Sequence, residues 1–220
     1  TFDDVLTASE VDALVKALTD PGDKYANLRT NHRYAALVFA GSWLGPRWNE
    51  AIGVRVCDLN PLRQEATVGL VVVNQNGAKT FTEPMSKTED ARTVPVPDAV
   101  MTVLVDHIKT YLPDAGREDF LFLTTRGTHP MRGNFGRDVL RAGAQRAGLG
   151  DRHITWLTLR HTAASLMFDA GMTIFEVQHR LGHKSPTMTA EVYTHLMRER
   201  FNEGRTRLET YMGEQRGPSS

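Results

Sequence analysis

Apolar residues Val11, Leu14, Val15 and Leu18 recur at a spacing that places them on one helical face, and Thr7-Ala8-Ser9-Glu10 ahead of them has the form of a capping box. Pro21-Gly22 ends that helix. Leu28, Leu37, Val38 and Phe39 predict a second helix from about Asn27 to Trp43, stopped by Gly45-Pro46, and a short helical stretch follows over 49–54. The pattern then changes. Residues 66–73 form a continuous β-branched run, Asn76-Gly77 is a turn signal, and 79–83 and 92–96 supply two more strands, which predicts a small three-stranded antiparallel sheet. After Pro97-Asp98 the pattern is helical, with segments near 98–111, 133–147, 156–170, 173–181, 186–196 and 198–212. The expected fold is mainly α with one small sheet, a single domain over 1–212 and a frayed tail over 213–220.

Composition narrows the class. The 220 residues are 40% hydrophobic and 24% charged, a balance typical of a globular chain and unlike a disordered or collagen-like one. No run of 18 apolar residues exists to span a membrane. The N-terminus carries Asp3, Asp4 and Glu10 where a secretory signal would carry basic residues, so a cytoplasmic location is expected. A single cysteine, Cys57, excludes an internal disulfide framework and a cysteine-based zinc site. The 26 basic and 26 acidic residues cancel overall, but not by halves. Residues 1–122 hold 12 basic and 17 acidic groups, and 123–220 hold 14 and 9, which leaves room for a basic face in the second half or simply a solvated surface.

Candidate chemistry lies where charged residues interrupt apolar stretches, because an unpaired buried charge is costly. Arg160 sits in Trp156-Leu-Thr-Leu-Arg-His-Thr-Ala-Ala, near a predicted helix start. It suits either an anion such as phosphate or a carboxylate from another helix. Arg47 follows a Gly45-Pro46 turn, with Glu50 three residues on to orient its guanidinium; taken alone, a surface helix start explains it better. Lys87 lies between predicted strands, where a lysine can deliver a charge and a proton or merely solubilise a hairpin tip. Leu181-Gly182-His183 is followed ten residues later by Tyr193, whose phenol is a poor nucleophile unless cations or a base favour the phenolate. His179 and His183 stand four apart but lack the glutamate of a zincin motif, so no metal site is expected. Phosphate-cradling P-loops, GxSxG elbows and GxGxxG turns are absent.

In chain order these pieces resemble the tyrosine recombinase (phage integrase) family, specifically its C-terminal catalytic domain, over nearly the whole length. Gly45-Pro46-Arg47-Trp48-Asn49-Glu50 resembles the family's Gly-x-Arg-x-x-Glu segment. Ser86-Lys87-Thr88 followed by Arg92-Thr-Val-Pro-Val-Pro97 resembles its β-hairpin lysine segment. Leu159-Arg160-His161-Thr162-Ala163-Ala164, Leu181-Gly182-His183 and Tyr193 match the remaining boxes.

The resemblance implies DNA strand cleavage and rejoining through a 3′-phosphotyrosine, with no cofactor. Tyr193 would be the nucleophile, Arg47, Arg160 and His183 donors to the phosphate oxygens, and Lys87 the acid for the departing 5′-oxygen. Glu50 and His161 would support Arg47 and the Arg160 helix. Arg132, Asn134, Arg137 and Arg141 fall where the family's helix approaches the major groove. The implied partners are double-stranded DNA at attachment sites, a homotetramer on that DNA and accessory DNA-bending proteins. The family's core-binding and arm-binding domains have no counterpart in these 220 residues, so the isolated chain is expected to be monomeric.

One position departs. The family's His-x-x-Arg pattern would put a histidine at 157, and this chain has Leu157. Leucine neither donates to phosphate nor accepts a proton. Two alternatives therefore stand beside the active recombinase: a weakened recombinase-like DNA-binding module, and a strand transferase of the type IB topoisomerase kind.

Overall fold

The computed structural model describes residues 5–20, 31–75, 79–84, 91–182 and 208–212. Helix α1 (Ala8–Thr19) starts at the expected capping box: Thr7 Oγ1 accepts from the Glu10 amide, and the Glu10 carboxylate accepts from the Thr7 amide. It buries Val11, Leu14 and Leu18. A 3₁₀ turn at His32–Tyr34 leads into α2 (Ala35–Leu44), which begins later than the 27 expected from sequence, residues 27–30 lying outside the described part. Helix α2 is apolar around most of its circumference and accordingly runs through the centre, packed on α1, α4 (Asp98–Tyr111) and α7 (Trp156–Asp169). It stops at Gly45, whose backbone is left-handed at φ 64° and whose Cβ, if present, would lie 2.5 Å from Leu181 Cδ2. The short α3 (Trp48–Ala51) follows at once.

Among the described residues five short strands come next: β1 (Leu59–Asn60), β2 (Glu65–Val68), β3 (Leu70–Gln75), β4 (Lys79–Pro84) and β5 (Arg92–Pro95). The three-stranded antiparallel sheet is present, in the order β1-β2-β5, but its strands differ from those expected. The run over 66–73 is not one strand. It divides at Gly69, where the lack of a side chain weakens strand packing, so β2 pairs with β5 while β3 and β4 form a separate hairpin. Registry places Val68 opposite Arg92 and Ala66 opposite Val94, and the buried alternation on β5 turns Arg92 and Val94 inward.

Helix α4 matches its expected span. The segment expected as one helix over 133–147 is helical from 132 to 146 without a break, but it changes winding within: α5 (Arg132–Phe135), a π-helical stretch Gly136–Arg141, and α6 (Ala142–Arg146). Gly133 and Gly136 lower the α preference at its start, and apolar periodicity does not register the wider turn. Helices α7 and α8 (Ile174–Leu181) share a small core of Ala163, Ala164, Met167, Phe168, Val177 and Leu181. The main core holds a cluster of aromatic rings: Trp48 lies 4.8 Å from Phe135 and 5.2 Å from Trp156, centroid to centroid. The helix expected over 186–196 lies outside the described residues. Of that expected over 198–212, residues 208–212 are described and are helical.

Candidate active site

Four loops and helix ends meet at the C-terminus of α8. A helix end leaves its last carbonyls without intrahelical partners, and here guanidinium groups supply donors. Arg160, on the first turns of α7, donates from Nη1 to Gly45 O (2.6 Å) and from Nη2 to Leu181 O (2.8 Å). Arg47, at the α2–α3 turn, donates from Nη2 to Gly182 O (2.9 Å). Arg92, arriving from β5, donates from Nε to Arg180 O (3.1 Å) and from Nη2 to Leu181 O (3.3 Å).

Glu50 is the anionic centre of this group, with its side chain 1% exposed. Its Oε2 accepts from the Arg47 amide and from Arg92 Nη2, both at 2.8 Å, and its Oε1 accepts from Arg47 Nη1 (2.9 Å) and Arg92 Nη1 (3.3 Å). Burial pushes the Glu50 pKa upward, but hydrogen bonds and charge from Arg92 and Arg47 outweigh it and hold the carboxyl below its ordinary value. Among the described residues, three guanidinium groups meet one carboxylate here, an excess of two positive charges. Arg47 is the most open of the three, its side chain 36% exposed, and among the described residues Nη1 and Nη2 each donate one hydrogen bond. An arrangement of this kind can hold an anion through charge-assisted hydrogen bonds.

The residues expected from sequence are distributed as follows. Arg47, Glu50 and Arg160 are brought together, with the Glu50 carboxylate accepting from the Arg47 amide and Nη1. Lys87, His183 and Tyr193 lie outside the described residues; Gly182, next to His183, is bonded to Arg47, and Arg92 stands five positions after Lys87. His161 is half-buried, and burial together with the neighbouring Arg160 charge lowers its pKa. Leu157 is 51% exposed, one turn before Arg160 on the same helix. Among the described residues no group of three His, Cys, Asp or Glu side chains is placed to hold a metal ion. No helix among them is long and apolar enough to cross a membrane.

Arg132, Asn134, Arg137 and Arg141 are all exposed. Arg132, Arg137 and Arg141 border an open hollow of about 660 Å³, floored by Phe135, Leu140 and Trp156. They are not equivalent. Arg137 is taken up by Asp138 (Nε to Oδ1 2.7 Å, Nη2 to Oδ2 2.9 Å) and by Asn134 Oδ1 (3.3 Å), a group that partly cancels its charge. Arg132 and Arg141 have no such partner among the described residues. The hollow joins the arginine group through Trp156, whose Nε1 donates to Pro46 O (2.9 Å), the residue before Arg47.

Sequence reasoning missed Arg92. Arg92 opens the strand expected over 92–96, and a strand start is usually solvated. The available signal was an arginine at the inward position of an alternating Arg-Thr-Val-Pro-Val segment, in phase with Val94 and Val96, where an unpaired charge would be too costly to tolerate.

The profile of the Phage integrase family matches residues 4–200. Tyrosine recombinase XerD of Corynebacterium glutamicum is 28% identical over 204 residues, covering 91% of this chain and 59% of that protein. The putative prophage phiRv2 integrase of Mycobacterium tuberculosis (strain ATCC 25618 / H37Rv) is 28% identical over 199 residues, covering 90% and 48%. The chain thus spans about half the length of the curated relatives it matches. Among solved structures, the Tn1549 transposon integrase in complex with circular intermediate DNA superposes with a TM-score of 0.70 at 22% identity, covering 90% of this chain and 66% of that one. At this identity the likeness is one of fold.

Proposed function

Since the chain belongs to the phage integrase family, we propose that it is the strand-transfer unit of a site-specific DNA recombinase, working on double-stranded attachment-site DNA as a homotetramer in the cytoplasm. The observation that carries this reading is the arginine group at the end of α8, with its excess of two positive charges around a buried Glu50.

The chemistry follows from charge. Attack of the Tyr193 oxygen on a backbone phosphorus gives a pentacoordinate phosphorane with one negative charge more than the starting diester. Arg47 and Arg160, with His183, donate to the oxygens on which that charge develops; one preplaced donor of this kind contributes about 2.7–4 kcal/mol. The P–O5′ bond breaks as Lys87 gives its proton to the leaving oxygen, while the phenol's proton passes to solvent. The product is a 3′-phosphotyrosyl diester and a free 5′-hydroxyl. A diester has replaced a diester, so a 5′-hydroxyl from a partner strand reverses the step without an external energy source. Arg132 and Arg141, exposed beside the hollow, fit contacts to phosphates or base edges, and the Arg137–Asp138 pair fits a positioning contact.

The test is incubation in EDTA with a nicked suicide duplex carrying the attachment sequence of the element that encodes the chain. A denaturation-resistant protein–DNA band, lost in Arg47→Ala and Arg160→Ala, is the expected result. DNA binding without any such band favours the second reading, a weakened module, to which the half-exposed Leu157 lends support.

A further inference from the structure

A guanidinium group offers several N–H donors in a fixed plane, so an arginine that spends nearly all of them on protein acceptors has little left for a ligand. Arg92 is such a residue. Its side chain is 7% exposed, and four contacts engage Nε, Nη1 and Nη2: Arg180 O, Leu181 O and both oxygens of Glu50. Its backbone is fixed independently, because β5 is paired along its whole length to β2. The arginine is therefore a rigid bracket with one arm on Glu50 and the other on the last carbonyls of α8.

Each arm leads to a different part of the arginine group. Through Glu50 it reaches Arg47, whose amide and Nη1 are bonded to the same two oxygens. Through the carbonyl of Leu181 it meets Arg160, which donates to that same oxygen. The guanidinium also occupies the space beside Gly182: a Cβ there would lie 2.6 Å from Arg92 Cζ and Nη1. The glycine of Leu181-Gly182-His183 is thus required twice, by its left-handed φ of 67° and by the presence of Arg92.

We propose that Arg92 is a positioning residue for the phosphate site: it sets the aim of Arg47 through Glu50, and it holds the α8 turn from which His183 departs, without touching DNA itself. The inference rests on the phosphate-binding role proposed for Arg47. A lysine in its place retains the charge but supplies a point ammonium that is unable to span Glu50 and the helix end together.

Two measurements on wild type, Arg92→Lys and Arg92→Gln decide it, each variant first shown to be folded by a cooperative urea transition. The first needs no DNA. The NMR order parameter of the Arg47 Nε–Hε group is high in the wild type and falls below about 0.6 in both variants; an Arg47 as ordered in Arg92→Lys as in the wild type overturns the proposal. The second is single-turnover cleavage at saturating DNA. A misplacement of about 1 Å in a positioning group lowers rate by about 10²-fold, so Arg92→Lys should lose about that much rate with unchanged DNA affinity. Replacing the scissile phosphate by a neutral methylphosphonate should shrink the loss, as it should for Arg47→Ala, because less charge then needs a donor. Equal losses on both substrates overturn the proposal. A wild type that cuts neither substrate contradicts the recombinase reading alone, and the Arg47 order measurement still decides the role of Arg92.

Discussion

Glu50→Gln keeps the shape of the residue at the centre of the arginine group and removes its charge. The carboxylate accepts four N–H donors on two oxygens, two from Arg47 and two from Arg92. A glutamine retains one accepting oxygen and turns its NH₂ toward donors, so two of those bonds are lost. The two ion pairs differ in weight. Arg47 is more than a third exposed, and solvent screening reduces its pair to about 0.5 kcal/mol. The Arg92 pair is buried on both sides, 7% and 1% exposed, and breaking a buried pair by removing one partner costs about 3–5 kcal/mol. The expected loss at pH 7 is about 4 kcal/mol, read as a shift of the urea midpoint at constant slope. The pH dependence has a definite sign. The folded-state pKa of Glu50 lies below its ordinary value of about 4.5, so its contribution is complete above that value and disappears as pH falls through the folded pKa. The gap between wild type and variant should accordingly narrow from pH 7 to pH 3. A gap under about 1 kcal/mol at pH 7, or one that does not narrow in acid, would refute the ion-pair reasoning.

Two further outcomes follow from the same geometry. Gly182→Ala should cost about 3 kcal/mol by urea unfolding, about 1–2 from a left-handed backbone and the rest from displacing Arg92; in an Arg92→Ala background only the backbone part should remain, and equal costs in both backgrounds would contradict the close approach. Leu157→His restores a donor one turn before Arg160 on an exposed face, so it should raise the single-turnover cleavage rate by at least about tenfold while changing stability by less than about 0.5 kcal/mol; an unchanged rate would mean that position 157 does not face the phosphate.

Much of the helical framework was legible because burial imposes a 3.6-residue period: α1 lies where its apolar spacing and the Thr7 capping box put it, and α4, α7 and α8 lie within a residue of their expected spans. The sheet was legible in size and not in membership. Continuous β-branched residues across 66–73 conceal the change of partner at Gly69, since the choice between β4 and β5 depends on residues far along the chain. The π-helical stretch was hidden because an inserted residue in a turn leaves the buried positions apolar. At the site, Arg47 and Glu50 were readable as a local pair, three residues apart. Arg92 was not, because its partners are 42 and 88 positions away and its own neighbours describe only a strand. The neutralisation of Arg137 by Asp138 was visible in sequence only as two adjacent charges.

Locating the covalent bond tests the central claim most directly. The adduct from a suicide duplex is digested with protease and nuclease and the modified peptide sequenced by mass spectrometry. The expected product is a nucleotide joined through its 3′-phosphate to Tyr193, with no adduct from Tyr193→Phe. A bond to any other residue, a 5′-phosphate linkage, or an adduct that persists in Tyr193→Phe would contradict it.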